Sequence, residues 1–153
     1  MEEEKLEYRM YCLVLRQLNS INKGVQAIHS CLEYANKFNN NPDYQQYINV
    51  DKTLIILDGG TYPDLCKIVG ILTENNINFS YFNEPDLGNI YTSISFLADN
   101  RIWDDKHIKN YEDYCYELGN ELHGMSYDIW LDSIGGSKNL VLLDIIKNKR
   151  LSL

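Results

Sequence analysis

The chain alternates between apolar runs and amphipathic stretches. YRMYCLVLR (8–16) and KTLIILD (52–58) are nearly continuous apolar runs, which are typical of strands covered on both faces of a sheet. INFSYFNE (77–84) and IYTSISFLA (90–98) alternate along the chain, as strands do when side chains point to opposite faces. The pattern therefore predicts four strands, of which the last two are joined by the short loop PDLGN.

Helical spacing separates the first three of these strands. After the first strand, apolar positions recur three and four apart, at Val25, Ile28, Leu32 and Ala35. This spacing predicts a helix that buries these side chains, with Ser20 or Asn22 as its N-cap and an end near NNNP (39–42). The polar segment 43–51 is interpreted as a surface connection. Thr61 and Asp64 have the spacing of a capping box and predict a second helix after the second strand.

The resulting order, β-α-β-α-β-β, indicates the α/β class. A strand–helix–strand unit implies some parallel pairing, and the short link between the last two strands favours antiparallel pairing. We therefore expect a single domain with a four-stranded mixed sheet flanked by helices.

The pattern changes after residue 100. Helical spacing predicts a helix over 105–123, beginning near Asp104 or Asp105, and a last helix over 138–149 capped by Ser137. We divide the chain into an α/β core (1–100) and a C-terminal helical extension (101–153). The extension is expected to pack on the core or at a homodimer interface.

Charge and cysteine content limit the partners and the compartment. The net charge of −8 over 153 residues disfavours duplex DNA, whose binding depends on neutralised phosphates, although a local basic site can still hold one small anion. The four cysteines form no CxxC motif and are interpreted as buried thiols, and the histidines lack metal-ligand spacing. No basic leader or membrane-length apolar run is visible. We expect a cytoplasmic protein with no metal, no cofactor and no membrane contact.

The corner SINKGVQAIHS (20–30) contains the first candidate site residues. Asn22, Lys23 and Gly24 begin a helix at the carboxyl end of the first strand, where amide groups and one positive charge can hold a phosphate or carboxylate. Gln26 and His29 follow on a polar stripe, and His29 can act as a general base. The alternatives are that the glycine serves the turn and that the histidine is solvated.

The loop NEPDLGN (83–89) contains the second set. Glu84 and Asp86 can perform acid–base chemistry if buried, or they can cap the turn. Thr92 has a hydroxyl near the start of the fourth strand, and Tyr91 can stack on a base or pack within the sheet.

Taken in order, LVLRQLNSINKGVQAIHSCLEYA and TLIILDGGTYPDLCKIVGILTENNINFSYFNEPDLGNIYTSISFL resemble the peptidyl-tRNA hydrolase 2 family, and most closely its short bacteriophage-encoded members. The resemblance covers residues 8–98 and implies metal-free hydrolysis of the ester that links a peptide to tRNA. It assigns catalytic roles to Lys23, His29, Asp86 and Thr92. Asn22, Gly24, Gln26, Glu84 and Tyr91 are the expected ligand-binding residues.

Three functions are therefore considered. The first is a hydrolase acting on peptidyl-tRNA or a related ester. The second is a non-catalytic phage accessory protein that sequesters a nucleotide-type ligand. The third is an interaction protein whose C-terminal helices form the contact surface.

Overall fold

All four predicted strands form, and they build one mixed sheet. The computed structural model describes residues 3–117 and 125–152, and its strands are β1 (Tyr8–Leu15), β2 (Thr53–Gly60), β3 (Ser80–Glu84) and β4 (Ile90–Asp99). Their order across the sheet is β2-β1-β4-β3. β2 is parallel to β1, and β4 is antiparallel to both β1 and β3. The α/β class with a mixed four-stranded sheet is confirmed.

Helices cover both faces of this sheet. They are α1 (Ser20–Phe38), α2 (Pro42–Gln46), α3 (Tyr62–Glu74), α4 (Tyr111–Glu117), α5 (Met125–Ser133) and α6 (Ser137–Ile146). Alternate residues of β1 enter two cores: Cys12 is buried on the α1 side and Leu13 on the side of α3 and α6. Burial on both faces explains the continuous apolar run of the first strand.

α1 is rotated about its axis relative to the prediction, so that of the four predicted apolar positions only Ala35 packs against the core. Val25, Ile28 and Leu32 are 41%, 56% and 61% exposed, whereas the buried side chains of this helix include Gln26 and Ser30. The sheet beneath α1 accommodates this rotation because it presents hydroxyl groups there: Ser30 Oγ lies 2.5 Å from Ser95 Oγ, and Ser80 Oγ donates to the Ser30 carbonyl at 2.7 Å. The interface is therefore mixed: Ala27 and Tyr34 are buried beside these polar groups, while Val25, Ile28 and Leu32 face solvent.

The cap of α1 also differs from the prediction. Asn19, rather than Ser20 or Asn22, is the N-cap, and its side chain accepts a hydrogen bond from the Asn22 N–H at 2.9 Å. The Asn19 carbonyl accepts the Lys23 N–H at 2.9 Å. Two amide groups at the start of α1 are therefore already paired within the chain.

The polar segment 43–51 is not an irregular connection. Asn41 caps α2 by accepting the Asp43 N–H at 2.9 Å, with proline at the first helical position, and one turn of π-helix follows at Tyr47–Asp51. Tyr44 and Tyr47 are buried in the core beneath α1. Their burial gives this polar segment a fixed place on the sheet.

The start of α3 agrees with the prediction, whereas the start of β3 does not. The capping box is confirmed, because Asp64 Oδ2 accepts the Thr61 N–H at 2.8 Å and Thr61 Oγ1 accepts the Asp64 N–H. β3 begins at Ser80 rather than at residue 77. Ile77 and Phe79 are nevertheless buried, so they fill the core from the segment that connects α3 to β3.

The C-terminal part is less regular than predicted. The helix expected over 105–123 begins only at Tyr111, after Asn110 accepts the Glu112 N–H at 2.8 Å, and residues 118–124 lie outside the described ranges. The last helix begins at Ser137, with Gly136 as its N-cap rather than Ser137 itself. Leu142, Leu143 and Ile145 of α6 join the core on the α3 side, so these apolar side chains are used within the chain.

The four cysteines do not form disulfides with one another. Cys12 is buried, whereas Cys31, Cys66 and Cys115 are half-buried, and all four are free thiols. Among the helices in the described ranges, none combines the length and the apolar character needed to cross a bilayer.

Candidate functional site

The candidate residues come from segments that meet at one edge of the sheet. β1 and β3 are both antiparallel to β4, so the ends of β1 and β3 lie beside the start of β4. We call this the carboxyl edge; it includes the start of α1 and the turn Pro85–Leu87. Ligands commonly bind at such an edge in α/β proteins.

Gln26 is the centre of a buried hydrogen-bond cluster at this edge. Its Nε2 donates to Glu84 Oε2 at 2.8 Å, and its Oε1 accepts the hydroxyl of Thr92. Gln26 is 5% exposed and Thr92 is fully buried. We call these three residues the Gln26 cluster. It joins α1, the end of β3 and the start of β4 although its members are 58 and 66 positions apart in sequence.

A β-bulge brings Thr92 into this cluster. Phe82 pairs with Ser93 and Asn83 pairs with Tyr91, so Thr92 is an extra residue on β4. Ser93 Oγ donates to the Gln26 carbonyl at 2.5 Å, and thus both Thr92 and Ser93 contact α1. Simple alternation along β4 would have placed these neighbours on opposite faces.

Lys23 and His29 lie one turn before and after Gln26 on α1. Both are half-buried, whereas Asn22 is exposed and Gly24 has open space around its Cα. The His29 ring stacks on Phe82 with centroids 4.2 Å apart and an angle of 11° between the planes. This stacking holds the imidazole against β3, on the face of the sheet that carries the Gln26 cluster.

The two acidic residues of the turn have different environments. Glu84 is half-buried; one of its carboxylate oxygens accepts from Gln26 and the other from the Asp86 N–H at 3.4 Å. Asp86 is exposed. Gly88 and Asn89 have φ of 76° and 58°, the positive values expected for this loop. Glu84 therefore organises the turn, and Asp86 is the carboxylate that is open to a ligand.

The structure does not bring Tyr91 to the Gln26 cluster. Its ring packs against Tyr81 at 4.9 Å and against Tyr62 of α3 at 6.0 Å, on the opposite face of the sheet. A base stacked on Tyr91 would thus lie on the far side of the sheet from Gln26. The backbone N–H groups of Asn22 and Lys23, which were predicted to hold a phosphate or carboxylate, are not available to a ligand, because Asn19 accepts both of them.

No protein-family model matches this chain, and no curated protein sequence matches it significantly. The resemblance therefore stays a prediction, carried by the order of the motifs.

An ion pair that the sequence did not single out completes the carboxyl edge. Arg16 Nε donates to Asp58 Oδ2 at 2.8 Å, and the Gly60 N–H donates to the other oxygen at 2.8 Å. Burial acts to raise the pKa of Asp58, but these hydrogen bonds and the charges of Arg16 and Lys23 together lower it. Asp-Gly-Gly directly after a buried strand was the available sequence signal for this pair.

In ranges 3–117 and 125–152, no group of three or more histidine, cysteine, aspartate or glutamate side chains is placed to hold a metal ion.

Proposed function

We propose that the carboxyl edge hydrolyses an ester of the peptidyl-tRNA type. The observation that carries this proposal is the Gln26 cluster, in which a buried amide links three chain segments. Gln26 and Thr92, which match the family's motifs, are in hydrogen-bond contact, and the Glu84 carboxylate accepts from the same amide. Burying a polar amide is costly unless it is paired, and here both ends of the Gln26 amide are paired across three chain segments, which supports a site with fixed geometry.

The chemistry assigned to the site is attack of water on the ester carbonyl. Asp86 or His29 takes a proton from this water as general base, and a bond forms between the water oxygen and the carbonyl carbon. Lys23 stabilises the oxyanion of the tetrahedral intermediate. Collapse of the intermediate breaks the bond to the terminal ribose oxygen of the tRNA, which leaves with the proton, and the peptide leaves as a carboxylic acid.

The Gln26 cluster has a positioning role in this scheme. Because its amide and the Thr92 hydroxyl are already paired, they fix the separation of α1 from the turn that contains Asp86. Reacting groups held at a fixed separation lower the entropic part of the barrier.

The direct test is release of peptide from peptidyl-tRNA by the full chain. We expect free tRNA and free peptide to accumulate from an ester-linked substrate faster than in buffer. A matched tRNA carrying the same peptide through an amide should remain intact, because an amide is a poorer acyl donor. If the ester-linked substrate is released no faster than in buffer, the proposal is wrong.

A further inference from the structure

A cavity of about 790 Å³ lies between the end of β2, α3 and α6. It adjoins the point where the chain leaves β1 for one face of the sheet and leaves β2 for the other. Ligands of α/β proteins commonly bind at such a point, and small-molecule sites have volumes of roughly 300–1,000 Å³. Lys23, His29, Asp86 and Thr92 do not line this cavity.

One wall of the cavity is apolar. Ile68 and Ile71 of α3 and Val141 and Ile145 of α6 line it. Among the described lining residues there is no aromatic side chain, so the wall fits an aliphatic group rather than a stacked base.

The cavity also contains several basic side chains. Arg16, Lys67, Lys149 and Arg150 line it, although the chain as a whole has a net charge of −8. Within residues 3–117 and 125–152, only Arg16 among these four makes a salt bridge, to Asp58. Lys67, Lys149 and Arg150 can therefore turn towards a ligand, although the charge of Lys149 also acts on Asp64.

Three carboxylates line the same cavity, each with a partner of its own. Asp58 pairs with Arg16, Asp64 accepts from Thr61 in the capping box, and Asp144 pairs with Lys147 at 2.8 Å. Four basic and three acidic side chains give the lining a net charge of +1, in a chain whose net charge is −8, so the local balance favours an anion.

The C-terminal segment holds two of these cations in place. The Asp58 N–H donates to the Arg150 carbonyl and the Ser152 N–H donates to the Ile56 carbonyl, both at 2.9 Å, so the segment extends along the outer edge of β2. Backbone pairing of this kind fixes Lys149 and Arg150 beside the cavity independently of their side chains.

We propose that this cavity binds a phosphate monoester with an aliphatic body, the phosphate among Lys67, Lys149 and Arg150 and the body on the apolar wall. A phosphate monoester carries about −1.5 to −2 charges near neutral pH, which matches several cations better than a single carboxylate does. The proposal does not depend on hydrolysis at the Gln26 cluster.

The test is an amide-resolved NMR titration of the full chain with hexyl phosphate. We expect saturable shifts at Gly59 and Gly60 and along the C-terminal segment. Inorganic phosphate and hexanoate should bind more weakly, and hexanol should produce no shift at these amides. Replacing Lys67 and Lys149 together by glutamine should raise the Kd by about tenfold or more.

The matched control replaces Lys106 and Lys138, two exposed lysines that do not line the cavity, by glutamine. This control should bind hexyl phosphate as the wild type does, and the same spectra report whether each variant is folded. No saturable shift with hexyl phosphate, an equal Kd for the two double variants, or tighter binding of hexanoate would each overturn the proposal.

Discussion

Replacing Lys23 by alanine is expected to lower kcat for ester hydrolysis by about 10²- to 10³-fold, the usual effect of losing one oxyanion donor. Lys23 is half-buried at the start of α1, one turn before Gln26 on the same side of the helix. Its charge also acts on Asp58 across the carboxyl edge. In the proposed mechanism this cation stabilises the oxyanion of an ester bound between α1 and the turn that contains Asp86.

Three comparisons separate catalysis from stability in this experiment. Lys23→Arg should retain part of the activity because it keeps the charge, and Lys106→Ala should behave as the wild type because Lys106 is exposed outside the site. The free energy of unfolding of each variant is measured by urea denaturation. Equal kcat values for Lys23→Ala and Lys106→Ala would remove Lys23 from the mechanism.

Replacing Asp99 by alanine is expected to destabilise the fold by about 3 kcal/mol, since it leaves the other member of a largely buried ion pair without its partner. Asp99 is 6% exposed, and it accepts from Arg101 Nε and Nη2 at 2.9 Å each. Asn139 of α6 donates to the same carboxylate at 3.1 Å. The residue therefore ties the end of β4 to the C-terminal helix.

This contribution depends on pH. Burial acts to raise the pKa of Asp99, but the hydrogen bonds from Arg101 and Asn139 outweigh it, and the pKa is lower than usual. A carboxyl whose pKa is lowered by folding stabilises the protein fully above its unfolded pKa of about 3.9, and this stabilisation is lost as the pH falls through the folded pKa. The difference between wild type and Asp99→Ala should therefore be largest near neutral pH and shrink in acid.

Asp105→Ala is the matched control for Asp99→Ala. Asp105 is exposed, and its pair with Lys109 at 3.3 Å is a surface pair that solvent and salt screen, so its loss should have little effect on stability. Equal free energies of unfolding for the two variants at neutral pH would show that the contacts of Asp99 do not stabilise the protein.

The strands could be predicted because their burial requires a pattern that is visible along the chain. The apolar run of β1 reflects burial on both faces, shown by Cys12 and Leu13, and needs no knowledge of its neighbours. The buried face of α1 could not be predicted in the same way. It depends on Ser80 and Ser95, which lie on strands far away in sequence and offer Ser30 hydrogen bonds rather than an apolar surface.

In the candidate site, too, some features could be predicted from the local sequence, whereas others depend on partners that are distant in sequence. Turn chemistry identified Glu84 and Asp86, and helical spacing placed Gln26 beside His29. The bulge at Thr92 exists only in the pairing of β3 with β4, so alternation alone could not show that Thr92 faces α1 while Tyr91 faces α3.

A double-mutant cycle on the free energy of unfolding tests most directly whether α1 and the start of β4 form one site. The variants are Gln26→Leu, Thr92→Val and the combination, with Gln26→Leu plus Thr73→Val as the control pair, since Thr73 is exposed on α3 and bonds within its own helix. We predict that the Gln26–Thr92 combination costs less than the sum of the single changes by about 1 kcal/mol or more, because the second change removes a partner that is already lost. Additivity within about 0.5 kcal/mol, as expected for the control pair, would contradict the account.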